Sequence, residues 1–483
     1  MRDVVKFYKT RHNDFMKLGK INVSDLLTLF FCFSFFIIGS IVSLNRFWQY
    51  DVSFIDFGQY DRAIWLVSRF QEPIVQHFIY GRINVLGDHV TPSIFLISPL
   101  YWFTNRSEII LIVQALAVAL SGFFLYDLAK SVLKDKLLAF SALFCYFLFE
   151  GLQNAVITEF HELTVMTLPL MLTFWAIVKN KKYLYFVFLI LTLGFKEVTF
   201  MLGIGIGIAL FFIKKEWGKQ AIATIIISCL WGFLAFKVII PYFNHAGYMY
   251  ANNLPPGIIP KALALVDKPE KIHTLFFSFF SFSFLPIFAP QFWAAIFQDY
   301  ASRFMPANFL TRWGLGMHYN AQSAVLLAVS FVFGLKSLLR FKIIKKYSKI
   351  IAIIFILNAF VLFRFVLHGP FLLAFNSAFY KNTSGFNFLN TMVEKIPQNA
   401  SVMTQNNLAT RFTHQNVQLL NDDYATVKPD YILMDMREGQ DPNDYYASSA
   451  NIQGFINIFG EISHNKNYMA IYKTNKQVIF KRI

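Results

Sequence analysis

The sequence predicts an α-helical polytopic membrane protein of about eleven transmembrane segments with a small C-terminal α/β domain. Three observations carry that expectation. Of 483 residues, 56% are hydrophobic, 18% aromatic and only 15% charged, against roughly 25% charged in soluble domains. Basic residues fall in short runs between apolar stretches. From roughly Thr383 onward the composition turns to that of a soluble domain.

The formal charge of +16 is the first feature that needs placing. From Tyr380 on there are 10 Lys and Arg against 9 Asp and Glu, which leaves 34 against 19, or +15, in the part before it. The excess therefore sits in the membrane part, where the positive-inside rule expects it in cytoplasmic loops, and nucleic acid is not needed as a partner. Cys32, Cys145 and Cys229 all lie within apolar stretches, so neither a disulfide framework nor a zinc spacing is present.

The N-terminal basic lead (Arg2, Lys6, Lys9, Arg11, Lys17, Lys20) is too long for a signal peptide and precedes no small-residue cleavage site, so residues 1–22 read as a cytoplasmic N-terminus before a retained helix. Val23 to Leu44 is long enough to cross about 30 Å of hydrocarbon. Residues 45–108 then form a large first extracytoplasmic loop, and Ile109 to Ala129 returns to Lys130, Lys134 and Lys136. Leu137 to Ile157 goes out and Leu163 to Val178 comes back to Lys179, Lys181 and Lys182, which places Glu159-Phe160-His161 outside. Tyr183 to Ile213 ends at another basic group, so it must cross an even number of times, as a hairpin whose bend at Lys196-Glu197 is buried at membrane depth.

Ala221 to Tyr242 exits to a loop with Pro255-Pro256-Gly257. Pro286 and Pro290 divide the apolar stretch 272–297 into a short hairpin or broken re-entrant pair, the kind of interruption that lines a cavity. Ala321 to Leu335 runs inward to the richest basic loop, and Ile350 to Leu367 leaves for the last time. Residues 23–379 are thus the membrane domain and 380–483 an extracytoplasmic α/β domain, with a helix patterned on Phe386, Leu389, Met392, Val393 and Ile396. Short strands are expected at Ser401 to Thr404, Tyr431 to Met434, Met469 to Tyr472 and Val478 to Phe480.

This topology uses only apolar lengths and basic loops, yet it brings four groups of reactive residue types to one side. They are Asp51, Asp56 and Asp61; Asp88-His89; Glu159, His161 and Glu162; and Lys196-Glu197. Ionisable groups at membrane depth cost about 2.5 to 3.5 kcal/mol each on insertion scales, so a function is expected to compensate. Asp56 precedes a stretch in which Tyr60, Ala63, Ile64, Val67 and Phe70 recur at helical spacing, with Asp61, Arg62 and Arg69 on other faces. A carboxylate at such a helix start serves either as a general base or simply as a cap.

His89, in Gly87-Asp88-His89-Val90-Thr91-Pro92, reads as a substrate contact or a structural hydrogen-bonder. Glu159 and His161 offer two ligands to a divalent metal, too few to define a site. Lys196-Glu197 is either a neutralised ion pair that permits the bend or a cation for a lipid phosphate. Tyr60, Arg82 and His318 complete the candidate substrate-binding residues. No phosphate-binding glycine loop, nucleophile elbow or His-Glu-x-x-His pattern occurs, which favours a substrate that arrives through the membrane.

Asp56-Phe57-Gly58, Trp65, His89-x-x-Pro92, Pro99-Leu100-Tyr101, Gln114, Glu159-Phe160-His161 and Lys196-Glu197, across roughly residues 23 to 320, resemble the GT-C superfamily of integral membrane glycosyltransferases. Its members include protein O-mannosyltransferases and the aminoarabinose transferases that modify lipid A. More closely they resemble an uncharacterised family of predicted membrane proteins in that clan, with weaker likeness at "ASVMTQNNLATRF" and "PDYILMD". The resemblance implies a polyprenyl-phosphate-linked sugar donor, an extracytoplasmic acceptor and a first-loop carboxylate as general base, a position that Asp56 matches. Many superfamily members have an adjacent acidic pair there, where this chain has a lone Asp56-Phe57.

The expected function is transfer of a sugar from polyprenyl phosphate to an extracytoplasmic glycan, lipid or protein by an enzyme of the inner or plasma membrane. Two other classes stay open: a transporter or flippase of a lipid-linked or anionic solute, and a non-catalytic membrane assembly protein. A transporter requires a charged path from face to face, whereas the ionisable groups here gather on one side.

Overall fold

A computed structural model describes residues 23–250, 254–307, 310–421, 423–445 and 452–483. The basic lead before Val23 and the loop position Asp422 lie outside the described residues. Among the described residues, five helices are long and apolar enough to cross a membrane: Val23–Trp48, Glu108–Leu133, Lys215–Phe243, Asn320–Leu338 and Ser348–Val366. A sixth candidate is the pair Lys136–Leu148 and Glu150–Ile157, bent by 51°. Three shorter apolar helices, Glu162–Val178, Lys182–Leu193 and Thr199–Ile213, complete the central set.

The bend in the sixth candidate interrupts what the sequence presented as one straight segment. Phe149 adopts an extended backbone between the two helices, and the Gln153 side chain donates to the Phe147 carbonyl at 2.9 Å. A side chain that takes over a ladder hydrogen bond is a recognised cause of a kink. The helix Asn320–Leu338 is buried along nearly all its length and packs against Glu108–Leu133, the bent pair and Trp293–Phe304. Gly334 lets the turn Leu285–Phe288 lie against it: a Cβ there would stand 2.0 Å from the Leu285 carbonyl oxygen. That turn and the next, Pro290–Phe292, separate the helices Pro269–Ser281 and Trp293–Phe304, so the break at the two prolines is present and the flanking helices extend beyond 272–297.

The hairpin at 182–213 has halves of 12 and 15 residues, about 18 and 22 Å long. Two carbonyls freed at its bend are satisfied by side chains within the protein. Thr199 Oγ1 donates to the carbonyls of Leu193 and Lys196, both at 2.6 Å, and Trp231 Nε1 donates to that of Lys196 at 3.1 Å.

The first loop contains the helix Gln59–Ser68 and an antiparallel hairpin of β1 (Ile74–His77) and β2 (Gly81–Asn84) that periodicity did not reveal. Beyond the helix Asn387–Val393, where Leu389 and Met392 are buried, come β3 (Val402–Thr404), β4 (Val417–Leu419), β5 (Tyr431–Asp435), β6 (Tyr468–Lys473) and β7 (Gln477–Arg482). They form one mixed sheet in the order β4-β3-β5-β7-β6, parallel from β4 through β5 and antiparallel after it. Four of these strands were expected from sequence; β4, only three residues long, was not.

Candidate active site

Asp56 sits in a π-helical turn, Phe54–Gly58, that leads directly into the helix Gln59–Ser68. The cap of this turn is Ser53, whose Oγ accepts from the Ile55 amide at 3.1 Å. Asp56 is therefore not the cap, and its side chain lines a cavity of about 170 Å³. Tyr60, one turn on, lines the same cavity, together with Asp88, His89, His161, Glu162, Lys196, Tyr250, Arg312, His318 and Tyr319.

Lys196 and Glu197 do not pair with each other. Lys196 Nζ lies 2.6 Å from Glu162 Oε1 and presents its remaining donors to the cavity. Glu197 turns the other way, accepting from the Val90 amide at 3.1 Å and the Tyr248 hydroxyl at 2.8 Å, with His89 Nδ1 at 3.1 Å. The bend thus joins two parts of the site, and each charge of the dipeptide has its own partner. His89 stacks on Tyr250 at 4.7 Å and lies 4.0 Å from Asp88, which also has His77 Nε2 at 3.6 Å. Burial works against the Asp88 charge, but the charges of His89, His77 and Lys196 outweigh it and hold the carboxyl at about 2.

In the turn that leads into Glu162, Glu159 has φ 146°, a backbone region that strains any residue other than glycine. Gln114 holds this turn from both sides, donating to the Glu159 carbonyl at 2.5 Å and accepting from the His161 amide at 2.8 Å. The Glu159 carboxylate sits behind Asp56 and accepts from the Phe57 amide at 3.4 Å. Burial, then the neighbouring charge of Asp56, pushes its carboxyl well above the ordinary range.

Asp56, Glu159 and His161 each offer one ligand atom, all within 4.8 Å of one another. An ion about 2.1 to 2.4 Å from each could bridge that spread. The donors suit a divalent cation, and His161 Nε2 is buried without a hydrogen-bond partner. The metal expectation placed on Glu159 and His161 thereby gains a third donor. His161 also stacks on His318 at 3.4 Å.

Arg82 stands apart, exposed on β2 and outside the cavity lining. Asp61, expected away from the apolar face, is fully buried and belongs to a different set of contacts. Tyr250 and Arg312 were not anticipated. They sit in the long stretch between Tyr242 and Asn320, where no periodicity marks a residue that folds back over the site; the aromatic character around Tyr248 and Tyr250 was the available signal.

The model of the family described as predicted membrane protein (DUF2079) matches residues 46–479. The chain belongs to that family. Among solved structures, this DUF2079 member is similar to ArnT from Cupriavidus metallidurans, whose crystal structure is bound to undecaprenyl phosphate. Identity is 9%, the TM-score is 0.54, and the likeness covers 92% of this chain and 97% of that one. No curated protein matches the sequence. The DUF2079 chain is therefore a multi-pass membrane protein with an ArnT-like fold.

Proposed function

We propose that this protein is a membrane glycosyltransferase that moves a sugar from a polyprenyl-phosphate carrier to an extracytoplasmic glycan, lipid or protein. The observation that carries this reading is the shared cavity: the Asp56 carboxylate and the Lys196 ammonium line one small pocket from two separate parts of the chain. Asp56 accepts the proton of the acceptor hydroxyl as its oxygen bonds to the anomeric carbon, and the bond from that carbon to the phosphate oxygen breaks with inversion. Positioned proton transfer of this kind is worth about 100- to 10,000-fold in rate. Lys196, with Arg312 and His89 beside it, opposes the charge that collects on the leaving phosphate, an effect strongest where water is excluded. His161, Tyr60 and His318 contact the sugar or acceptor.

Asp56, Glu159 and His161 would hold a divalent cation, which would supply Lewis-acid stabilisation to a phosphate oxygen. The lipid reading is supported by an apolar cavity of about 420 Å³ beside the bend, lined by Pro92, Leu96, Ile190, Leu193, Gly194 and Trp231 among others. It is also supported by the undecaprenyl phosphate bound to the similar ArnT.

The proposed topology takes eleven crossings: the five long helices, the bent pair and the three short apolar helices support nine of them, and the two helices either side of Pro286 and Pro290 are counted as the other two. With the basic loops inside, the N-terminus is proposed to be cytoplasmic and residues 380–483 to be an extracytoplasmic domain packed against the turn that carries Asp56. The test is purified protein in liposomes with a radiolabelled polyprenyl-phosphate sugar. Wild type transfers label to an added acceptor, and Asp56→Asn and Lys196→Ala do not. Full transfer by Asp56→Asn removes Asp56 as base, and release of free sugar without acceptor transfer removes the transferase reading.

A further inference from the structure

The turn that carries Asp56 is completed by a residue from the far end of the chain. Asn406 begins the short helix Asn406–Ala409, immediately after β3. Its Oδ1 accepts from the Phe54 amide at 2.9 Å and the Ile55 amide at 3.2 Å, and lies 3.1 Å from Ser53 Oγ. Phe54 and Asn406 are 352 residues apart, and Asn406 is 2% exposed.

The opening amides of any helical turn lack partners within it. Here two of them are taken up by one buried amide side chain. The same region supplies the socket for the turn. Phe54 is fully buried in a cluster with Leu389, Leu408, Phe412 and Leu433, and its ring covers Gly58 so closely that a Cβ there would meet it at 2.2 Å.

Asp56 occupies the middle of this turn and points into the cavity instead. Its own position is therefore fixed by what holds the ends and the back of the turn: Ser53 and Glu159 supply part of that hold, and residues 389–433 supply the Asn406 acceptor and the socket for Phe54. We propose that Asn406 is a positioning residue for Asp56, and that the C-terminal sheet sets the geometry of the general base from behind. This rests on the reading of Asp56 given under the proposed function. A carboxylate displaced by about 1 Å loses on the order of 100-fold in rate.

The test compares Asn406→Leu, which keeps the volume and loses the acceptor, with Asn406→Asp, which restores an acceptor oxygen. Asn390→Ala is the control, since it removes an equivalent bond across the same interface, Tyr50 Oη to Asn390 Oδ1 at 2.7 Å, without touching the turn. Two readouts are taken on the full chain: kcat and KM for the lipid-linked sugar, and amide hydrogen exchange at Phe54 and Ile55.

Asn406→Leu is expected to lower kcat about 10- to 100-fold at unchanged KM and to speed exchange at those two amides, with exchange in β3 and β5 unchanged. Asn406→Asp recovers most of both, and Asn390→Ala moves neither. Unchanged exchange in Asn406→Leu overturns the proposal, as does an equal fall of kcat in Asn390→Ala. If Asn406→Leu does not accumulate, Asn406→Ala, which only removes atoms, takes its place. If wild type transfers no sugar, the proposed function fails, and exchange at the two amides alone decides whether Asn406 holds the turn.

Discussion

The turn around Asp56 and the helix around Asp61 begin five residues apart and use the same side chain in opposite ways. Asp61 is fully buried and saturated. The Tyr101 hydroxyl donates to it, Thr413 Oγ1 donates at 2.5 Å, and His414 Nε2 lies 3.1 Å away. The next residue, Arg62, donates to the carbonyls of Thr413 and Gln415. Asp61 thus ties the first-loop helix to the C-terminal region. Among the described residues no such tie is found for Asp56; its turn is capped by Ser53 and Asn406, and its carboxylate lines the cavity. Saturation marks the structural carboxylate, and release from local hydrogen bonding marks the one available for chemistry.

The largest effect expected from breaking this contrast is at its reactive end. Asp56→Asn should reduce sugar transfer by about 100-fold or more while leaving thermal unfolding in detergent within error of wild type. The structural end should show the reverse pattern. Asp61→Ala leaves buried donors unpaired and should cost about 1 to 3 kcal/mol in stability, read as an earlier melt, with less than tenfold loss of transfer. If Asp61→Ala abolished transfer at unchanged stability, the contrast would be wrong.

A smaller effect concerns the cation. Mg2+ or Mn2+ at ten times its Kd should raise the stability of wild type by about 1.4 kcal/mol, and Glu159→Gln should abolish the rise in the same melt. The smallest is in pH. Burial acts to raise the Asp61 carboxyl, but His414, then Thr413 and Tyr101, bring it below its ordinary 3.8. Its contribution is therefore complete above 3.8 and is lost as pH falls through the lower native value. Wild type should lose stability on acidification below that point more steeply than Asp61→Asn, as followed by tryptophan fluorescence.

Most helices were legible because a membrane span writes itself in about 20 consecutive residues, and the bend at Lys196-Glu197 because two charges interrupt an apolar run. Four of the five strands of the C-terminal sheet were legible for a similar reason, each being a short apolar run between turn residues. The kink at Phe149 was not, since it depends on which carbonyl Gln153 reaches. Nor was the destination of Lys196, whose partner Glu162 lies 34 residues earlier.

Of the candidate site residues, those at the ends of apolar segments came together. Arg82 did not, because nothing in a loop's composition says which way a hairpin will face. Tyr250, Arg312 and Asn406 escaped for the same reason, since their roles depend on contacts between distant parts of the chain.

The sequence by itself determined that this chain enters a membrane and where its basic runs fall between the apolar segments. Those are properties of composition over contiguous segments, and the solvent reads them locally. Only the tertiary structure decided that Asp61 is an anchor and Asp56 is not. A carboxylate's role depends on whether donors reach it, and Thr413, which donates to Asp61, and Asn406, whose side-chain amide completes the Asp56 turn, each come from more than 300 residues away.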